Sequence, residues 1–497
     1  MGLLSIFNFR KQPATIPTDT ILPVHRWDFM SDSTHTVPIL TFRFEAVLDP
    51  ERLKWAFARL VTISEWRKLG ARLRKNASGN LEYHVPSHFD EERPGVLFSS
   101  FNHQMKLSEH PLSPHLPESH RTPSLASDSS RDCLPLVTST HMGRKLDDWL
   151  YSDIPLVSVH VVTFEDKTLV SVSYPHVLTD AQGFGTILKG WTAVLRGRED
   201  EVPVFQGFST DPLASLGDNA PPTDLCYKKQ TLSVIGAVVF GIRYVYGQLF
   251  HPCDQRILVV PEAYFDQIRE QAMEELAMSM TKADQAEQGA PFLSHGDIVL
   301  AWWTKMTLLA HKASAKQVVS IISTMDVRTI LTDYFGPGPV SFIGNAVVPL
   351  YTVAGVGPTI QRGVTYLANE IRKSISIQRC SDHVEATATH IHKSGNYPLV
   401  GNAFMQTVFC SNWYKAQYFE MDFSGALATP VNGSQEIRNR GRASCIIPNM
   451  LMGNGSPFNF TGLFIVGKTC DGSWILQTIM EKGAMKAFES SLTQPSG

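Results

Sequence analysis

Cysteine is scarce and scattered: seven residues lie between Cys133 and Cys470, with no CxxC pair. That argues against a disulfide framework or a cysteine zinc site and fits reduced thiols. An excess of either charge is also missing. Lys and Arg number 44 against 47 Asp and Glu, a formal net charge of -3, so no basic field recruits nucleic acid. The short clusters RLRK (72–75) and IRNRGR (437–442) read as solvated faces. The opening MGLLSIFNFRKQ lacks a signal peptide's length and charge order, and Ile6 breaks the myristoylation pattern; the expected location is cytoplasmic. No GxSxG elbow, GxxxxGK[ST] loop or HExxH helix occurs. THIH (389–392) offers two histidines without a third ligand, so no metal is expected.

Long apolar runs are absent but for one, TLSVIGAVVFGIRYVYGQLF (231–250), and Arg243 interrupts it. A charge near the centre of a span costs roughly 2.5–3.5 kcal/mol, which argues against a lone membrane-crossing helix. A linker or surface helix packed on the body is one reading. A peripheral membrane contact anchored by Tyr244 and Tyr246 is the other.

What is present suits a large globular protein. The 497 residues are 43% hydrophobic and 18% charged, enough for a sizeable core and long enough for two domains. ILTFRFEAVLD (39–49) reads as a strand, and PERLKWAFARLVTI (50–63) as a helix started by Pro50. Residues 107–140, rich in Pro, Ser and His, read as a long surface loop. PLVSVHVVTF (155–164) and KTLVSVSYP (167–175) form a hairpin pattern across Glu165 and Asp166. Periodicity is lost over 200–230, the best domain boundary. RILVVPEAYFDQIREQAMEEL (256–276) then reads as strand and helix. A polar break (281–290) precedes a helix over 294–312 with Trp302 and Trp303. QVVSIISTMDVR (317–328) follows, and LFIVGKTCDGSWILQTIM (463–480) is a hairpin with Asp-Gly at its turn. The expectation is an α/β (α+β layered) protein with an N-terminal domain over 1–205, a linker with an apolar helix over 206–255, and a C-terminal domain over 256–497.

Chemistry centres on SYPHVLTDAQGFG (173–185), a strand-to-helix turn. Ile187, Leu188, Trp191, Val194 and Leu195 repeat at helical spacing up to Gly197. Thr179 and Gln182 match a capping box, making Thr179 the expected N-cap and leaving the Asp180 carboxylate free for another task. His176 falls at the strand end, and an imidazole, by its unperturbed chemistry, is the natural general base at neutral pH. HxxxD alone is a weak signal, since 17 histidines give about one such spacing by chance. A catalytic base and an ordinary loop histidine beside a helix cap both stand on this evidence.

HVLTDAQG (176–183) resembles the HxxxDxxG signature of the BAHD-like, CoA-dependent acyltransferases of plants and fungi, whose fold is that of chloramphenicol acetyltransferase. Further segments resemble that family in order. They are EWRKLGARLR (65–74), FLSHGDIVLAWW (292–303), MDVRTIL (325–331) as a VDxR element, FIGNAV (342–347) as a GNA element, and SNWYKAQYFEMDFSGA (411–426) as the SW…DFGWG segment. DFSGA lacks the family's second aromatic and final glycine, and alanine follows Asp180 where the plant pattern has glycine.

The resemblance implies two chloramphenicol acetyltransferase-like domains, each a mixed sheet with helices, and an active site in a tunnel between them. It implies acyl transfer from acyl-CoA to an alcohol without metal, covalent intermediate or permanently bound cofactor, and a monomer. Acetyl-CoA or another short acyl-CoA is the expected donor, and a hydrophobic secondary metabolite (terpenoid, polyketide or alkaloid) the expected acceptor. His176 would be the base. Asp180, the second motif residue, would pair with Arg328 and hold the turn. Gly183 and Asp422 would be structural. Ser411, Asn412 and Trp413 are candidates for the oxyanion and acyl site, with Trp413 equally readable as a core aromatic. Two alternatives remain. A carrier-protein-dependent condensing enzyme would have a histidine where Pro175 stands, and a non-catalytic relative would bind ligand without turnover.

Overall fold

The computed structural model describes residues 10–29, 34–118, 122–126, 130–218, 225–279, 291–336, 338, 340–428, 439–452 and 460–492. The N-terminal residues 1–9 and the polar break at 281–290 lie outside them. The strands, in chain order, are β1 (Thr20–Pro23), β2 (Thr36–Phe44), β3 (Arg72–Lys75), β4 (Leu81–Val85), β5 (Leu97–Asn102), β6 (Ser124–Leu125), β7 (Ser158–Thr163) and β8 (Thr168–Ser173). They continue with β9 (Cys253–Pro261), β10 (Val318–Asp326), β11 (Val347–Gly355), β12 (Gln406–Asn412), β13 (Cys445–Met452), β14 (Gly462–Lys468) and β15 (Ser473–Glu481).

Two main sheets result. The first has the order β13-β2-β8-β7-β5, and the second β11-β10-β12-β14-β15-β9-β6; β1, β4 and β3 form a small third sheet. Both expected hairpins are present, as β7 with β8 and β14 with β15. The sheets do not follow the sequence halves cleanly. β13 comes from the C-terminal half and pairs antiparallel with β2 along its length, from Cys445 opposite Arg43 to Met452 opposite Thr36. β6 makes the reverse exchange and pairs with β9. Flanked on both edges, β2 is buried at all but one position, which is why VPILTFRF reads as a nearly unbroken apolar run.

The helix over Ala181–Leu195 buries its apolar stripe against the Pro50–Leu60 helix. Trp191 Nε1 donates to Leu53 O at 3.1 Å, and its ring meets Phe57 edge-on at 5.1 Å. In the second half the helix over His295–Ala310 starts at Ser294, whose side chain closes a capping box with Asp297. Fully buried Trp303 donates from Nε1 to Thr478 Oγ1 at 2.9 Å.

Three expectations are corrected. Residues 107–140 are not only a surface loop: they carry β6 and a short helix (Leu134–Val137), and Cys133, Leu136 and Val137 are buried. RLRK is not a solvated face. It is β3, with Arg72 at 0% exposure and Arg74 buried, both ion-paired with Asp153. Carbonyls add acceptors beside Asp153, Gly70 O for Arg72 and Ser152 O for Arg74, while Arg72 Nε and Nη2 are buried without a hydrogen-bond partner among the described residues. The segment 231–250 is a helix, Val234–Phe250, but it does not pack on the body through its apolar side chains, none of which is buried. Val234 is 82% and Leu249 71% exposed. Its Arg243 reaches Ala403 O at 2.6 Å and lies over the Phe404 ring at 5.2 Å. Among the described residues no helix is long and apolar enough to cross a membrane.

Candidate active site

β8 ends at Ser173, and buried Tyr174 stacks on Phe184 of the following helix, centroids 4.9 Å apart. His176 occupies the turn between them, its side chain half-buried. Its N–H donates to Thr36 O at 3.0 Å, and its carbonyl accepts from Thr179 N at 3.3 Å and from Asn345 Nδ2 at 3.0 Å. The peptide that carries the imidazole is thus held from three sides, by β2, by its own turn and by the 342–347 segment.

The helix cap differs from the expected one. Asp180, not Thr179, is the N-cap, and its Oδ1 accepts from Gly183 N at 2.9 Å. Thr179 Oγ1 instead donates to the carbonyl of Asp180 at 3.1 Å. A carboxylate is the stronger acceptor beside the positive helix end, and at this position it also reaches a cation.

That cation is Arg328. Its two terminal nitrogens donate to the two Asp180 oxygens, each at 3.0 Å, and both side chains are buried. Arg328 also donates to Phe342 O at 3.0 Å, Gly344 O at 2.5 Å and Asp326 Oδ1 at 2.7 Å. Asp180 Oδ2 takes a further bond from Ala346 N at 2.9 Å. Burial works against the Arg328 charge, but Asp180 and Asp326 outweigh it and hold its pKa above the ordinary value. The pair implied by the resemblance is therefore present, and it ties the turn of the first half to the β10–β11 connection of the second. Gly183 lies at a close approach of the two. A Cβ there would stand 2.1 Å from Ile343 O and 2.3 Å from Thr179 Oγ1.

Ser411, Asn412 and Trp413 lie at the C-terminal end of β12, beside parallel β10. Trp413 is buried among Phe464 and Tyr418, and its Nε1 donates to Ser411 Oγ at 2.9 Å. Ser411 Oγ is in turn 3.0 Å from Thr324 Oγ1 on β10. Two hydroxyls share one bond, so one O–H proton of this half-exposed pair is left to point elsewhere. Asn412 is exposed and its Oδ1 accepts from Tyr414 N at 3.0 Å. Asp422 closes a local turn by accepting from Ser424 N at 2.9 Å. His392 of THIH faces Asp218 at 3.3 Å.

The model of the Transferase family matches residues 128–492, a span containing the histidine turn, Arg328 and the Ser411 segment. The chain belongs to the Transferase family. This Transferase-family chain is 35% identical over 520 residues to the acetyltransferase sphE of Aspergillus fumigatus, covering 100% of the chain and 99% of the relative. It is also 34% identical over 490 residues to a Penicillium decumbens protein named transcriptional regulator calD, covering 97% of each. Among solved structures it is similar to TRI101 of F. sporotrichioides complexed with coenzyme A and T-2, at TM-score 0.64 and 13% identity over 95% of this chain and 97% of that one. The fold is the mixed, two-domain α/β architecture of the BAHD-type members of the Transferase family, and the protein is an acyltransferase.

Three residues at this Transferase-family site escaped the reading of side-chain types. Asn345 lies within the GNA element, where the sequence marks a segment but no task for its amide. Asp28 has no signal beyond being one acid between Trp27 and Phe29. Thr324 is one more hydroxyl on a strand.

Proposed function

We propose that the protein transfers an acetyl or other short acyl group from acyl-CoA to a hydroxyl of a hydrophobic secondary metabolite, such as a terpenoid, polyketide or alkaloid, with His176 as general base. The observation that carries this reading is the turn itself: His176 is seated on a backbone fixed from three sides, four residues from an aspartate wholly engaged in structure. Asp180 accepts from four donors and so orients the turn, while the histidine moves protons. A ring nitrogen of His176 takes the hydroxyl proton as the alcohol oxygen bonds to the thioester carbonyl carbon. The carbon–sulfur bond then breaks, and the thiolate receives the proton from the imidazolium. Such base catalysis contributes about 10²–10⁴-fold. The remaining O–H of the Ser411–Thr324 pair is our candidate donor to the oxyanion, with Trp413 buttressing Ser411 and Asn412 beside it at the strand end; each well-placed donor elsewhere is worth about 2.7–4 kcal/mol.

The names of the similar proteins support this reading in chemistry and ligand class: acetyltransferase for sphE, and a coenzyme A and T-2 complex for TRI101. The test is acceptor-dependent release of free CoA thiol from acetyl-CoA and longer acyl-CoAs with a panel of terpenoid and polyketide alcohols, run with wild type and His176→Ala. Thiol release matched by acylated product, lost in the variant, is the expected result. Equal turnover by the variant would remove His176 from the mechanism. Acyl-CoA binding without product from any acceptor would favour a non-catalytic role.

A further inference from the structure

Behind the His176 turn lies a buried polar group that the proposed reaction does not use. Asn345 is 3% and Asp28 1% exposed. Asp28 Oδ1 accepts twice from Asn345, from its backbone N at 2.6 Å and from Nδ2 at 2.8 Å. The second Nδ2 proton goes to the His176 carbonyl at 3.0 Å. The orientation of this amide is over-determined. Turned over, its oxygen would face a carboxylate oxygen and a carbonyl oxygen together.

We propose that Asn345 is a positioning residue for the acyl-transfer base, holding the His176 peptide, and that Asp28 holds Asn345 in that pose. The inference rests on the reading of His176 as the base. The neighbours of Asn345 grip the other end of the same turn: Gly344 O accepts from Arg328, and Ala346 N donates to Asp180. One tripeptide therefore clamps the turn from His176 to Asp180 at both ends. The arrangement also carries a cost that a purely structural filler would avoid, because Asn345 Oδ1 is buried with no hydrogen-bond partner among the described residues. An apolar residue would avoid that loss but would take a donor from both Asp28 Oδ1 and the His176 carbonyl, so the two Nδ2 donors are what the position requires. Asp28 is set in a polar nest: His25 Nδ1 is 3.8 Å from its Oδ2, and the charges of Lys68 and Asp211 act on it. Misplacing a reacting group by about 1 Å costs on the order of 10²-fold in rate.

The experiment compares kcat and the KM for acetyl-CoA in wild type, Asn345→Ala, Asp28→Leu, Asp28→Asn and His176→Ala, with melting curves to show that each is folded. Asn345→Ala and Asp28→Leu should lower kcat by about 10–100-fold while KM for acetyl-CoA stays within about threefold. Asp28→Asn keeps an acceptor at Oδ1 and should recover most of the kcat that Asp28→Leu loses. Folded Asn345→Ala and Asp28→Leu at wild-type kcat, beside an inactive His176→Ala, would overturn the proposal and leave the base reading intact. Full turnover by His176→Ala would instead overturn the base reading, and the proposal with it. If Asn345→Ala does not fold, the isosteric Asn345→Asp carries the test. A carboxylate cannot donate to the His176 carbonyl, so the ratio of its kcat to that of wild type should fall as pH rises; a flat ratio near one would overturn the proposal.

Discussion

Asp28 shows how one buried acid couples the site to pH. Burial pushes its carboxyl up to about 7, against the opposing pull of Lys68 and the bonds from Asn345. A folded value raised above the ordinary 3.8 means that its contribution to stability is fully present below that pH and is lost as pH rises through about 7. His25 runs the other way: burial, with Lys68 adding to it, lowers its pKa to about 3, so its contribution is lost as pH falls below 6.5. Asp28→Asn removes only the first effect. Melting temperatures taken across this window should show the variant gaining on wild type between pH 3.8 and 7, the acid-side loss from His25 cancelling in the difference. A constant difference would place the Asp28 titration elsewhere. Arg328 predicts a larger effect. Replacing it with leucine strands two carboxylates, Asp180 and Asp326, the first of them buried, and removal of one partner of a buried pair costs about 3–5 kcal/mol. Denaturant unfolding of Arg328→Leu should show a loss of that order. At this scale the sequence was legible in part. The resemblance supplied the partner of Asp180, but spacing alone misassigned the cap, because Thr179 and Asp180 are both good caps and only the position of Arg328 selects between them.

Among the elements, apolar runs told most where a segment is buried along most of its length. The helix after the motif, the Ser294-capped helix and the strands of both hairpins are of this kind. Legibility failed where burial depends on distant partners. RLRK looks solvated until Asp153 and the Gly70 and Ser152 carbonyls are brought to it, and β6 is too short to show a pattern before β9 supplies its ladder. Gly183 tests the contact between elements directly. In Gly183→Ala the new Cβ meets the Ile343 carbonyl, so the helix start and the 342–347 segment must separate. Overpacking of this kind costs about 1–3 kcal/mol, and kcat should fall with stability, since both His176 and Asp180 are anchored to that segment; unchanged kcat would mean the site tolerates the displacement. The apolar helix Val234–Phe250 predicts the reverse. None of its side chains is buried, so Ile242→Lys with Leu249→Lys should change unfolding free energy by no more than about 0.5 kcal/mol. Light scattering should show less self-association, because an exposed apolar patch has been broken.

For the whole molecule, the expected boundary near residue 205 describes the chain better than it describes folding. A first unit ending there would leave β2 without β13, exposing one full edge of a strand that is otherwise enclosed. It would also lack Arg328, leaving Asp180 buried beside the helix start without its cation. The principal core makes the same point, since it joins Phe42, Phe184 and Trp191 from the first half with Phe423, Ile446 and Phe464 from the second. No local pattern reports such an exchange: β13, with Pro448 and Asn449 at its middle, carries nothing that names β2 as its partner. A fragment comprising residues 1–230 should therefore be insoluble or lack a cooperative melting transition. Co-expression with residues 231–497 should recover soluble protein, the added chain supplying β13 and Arg328 together. The result against this view is specific: a 1–230 fragment that stays monomeric and unfolds cooperatively would show that β2 and Asp180 tolerate the loss of both partners. The expected failure, with rescue by the second fragment, would mean that the histidine turn acquires its geometry only when the two halves fold together.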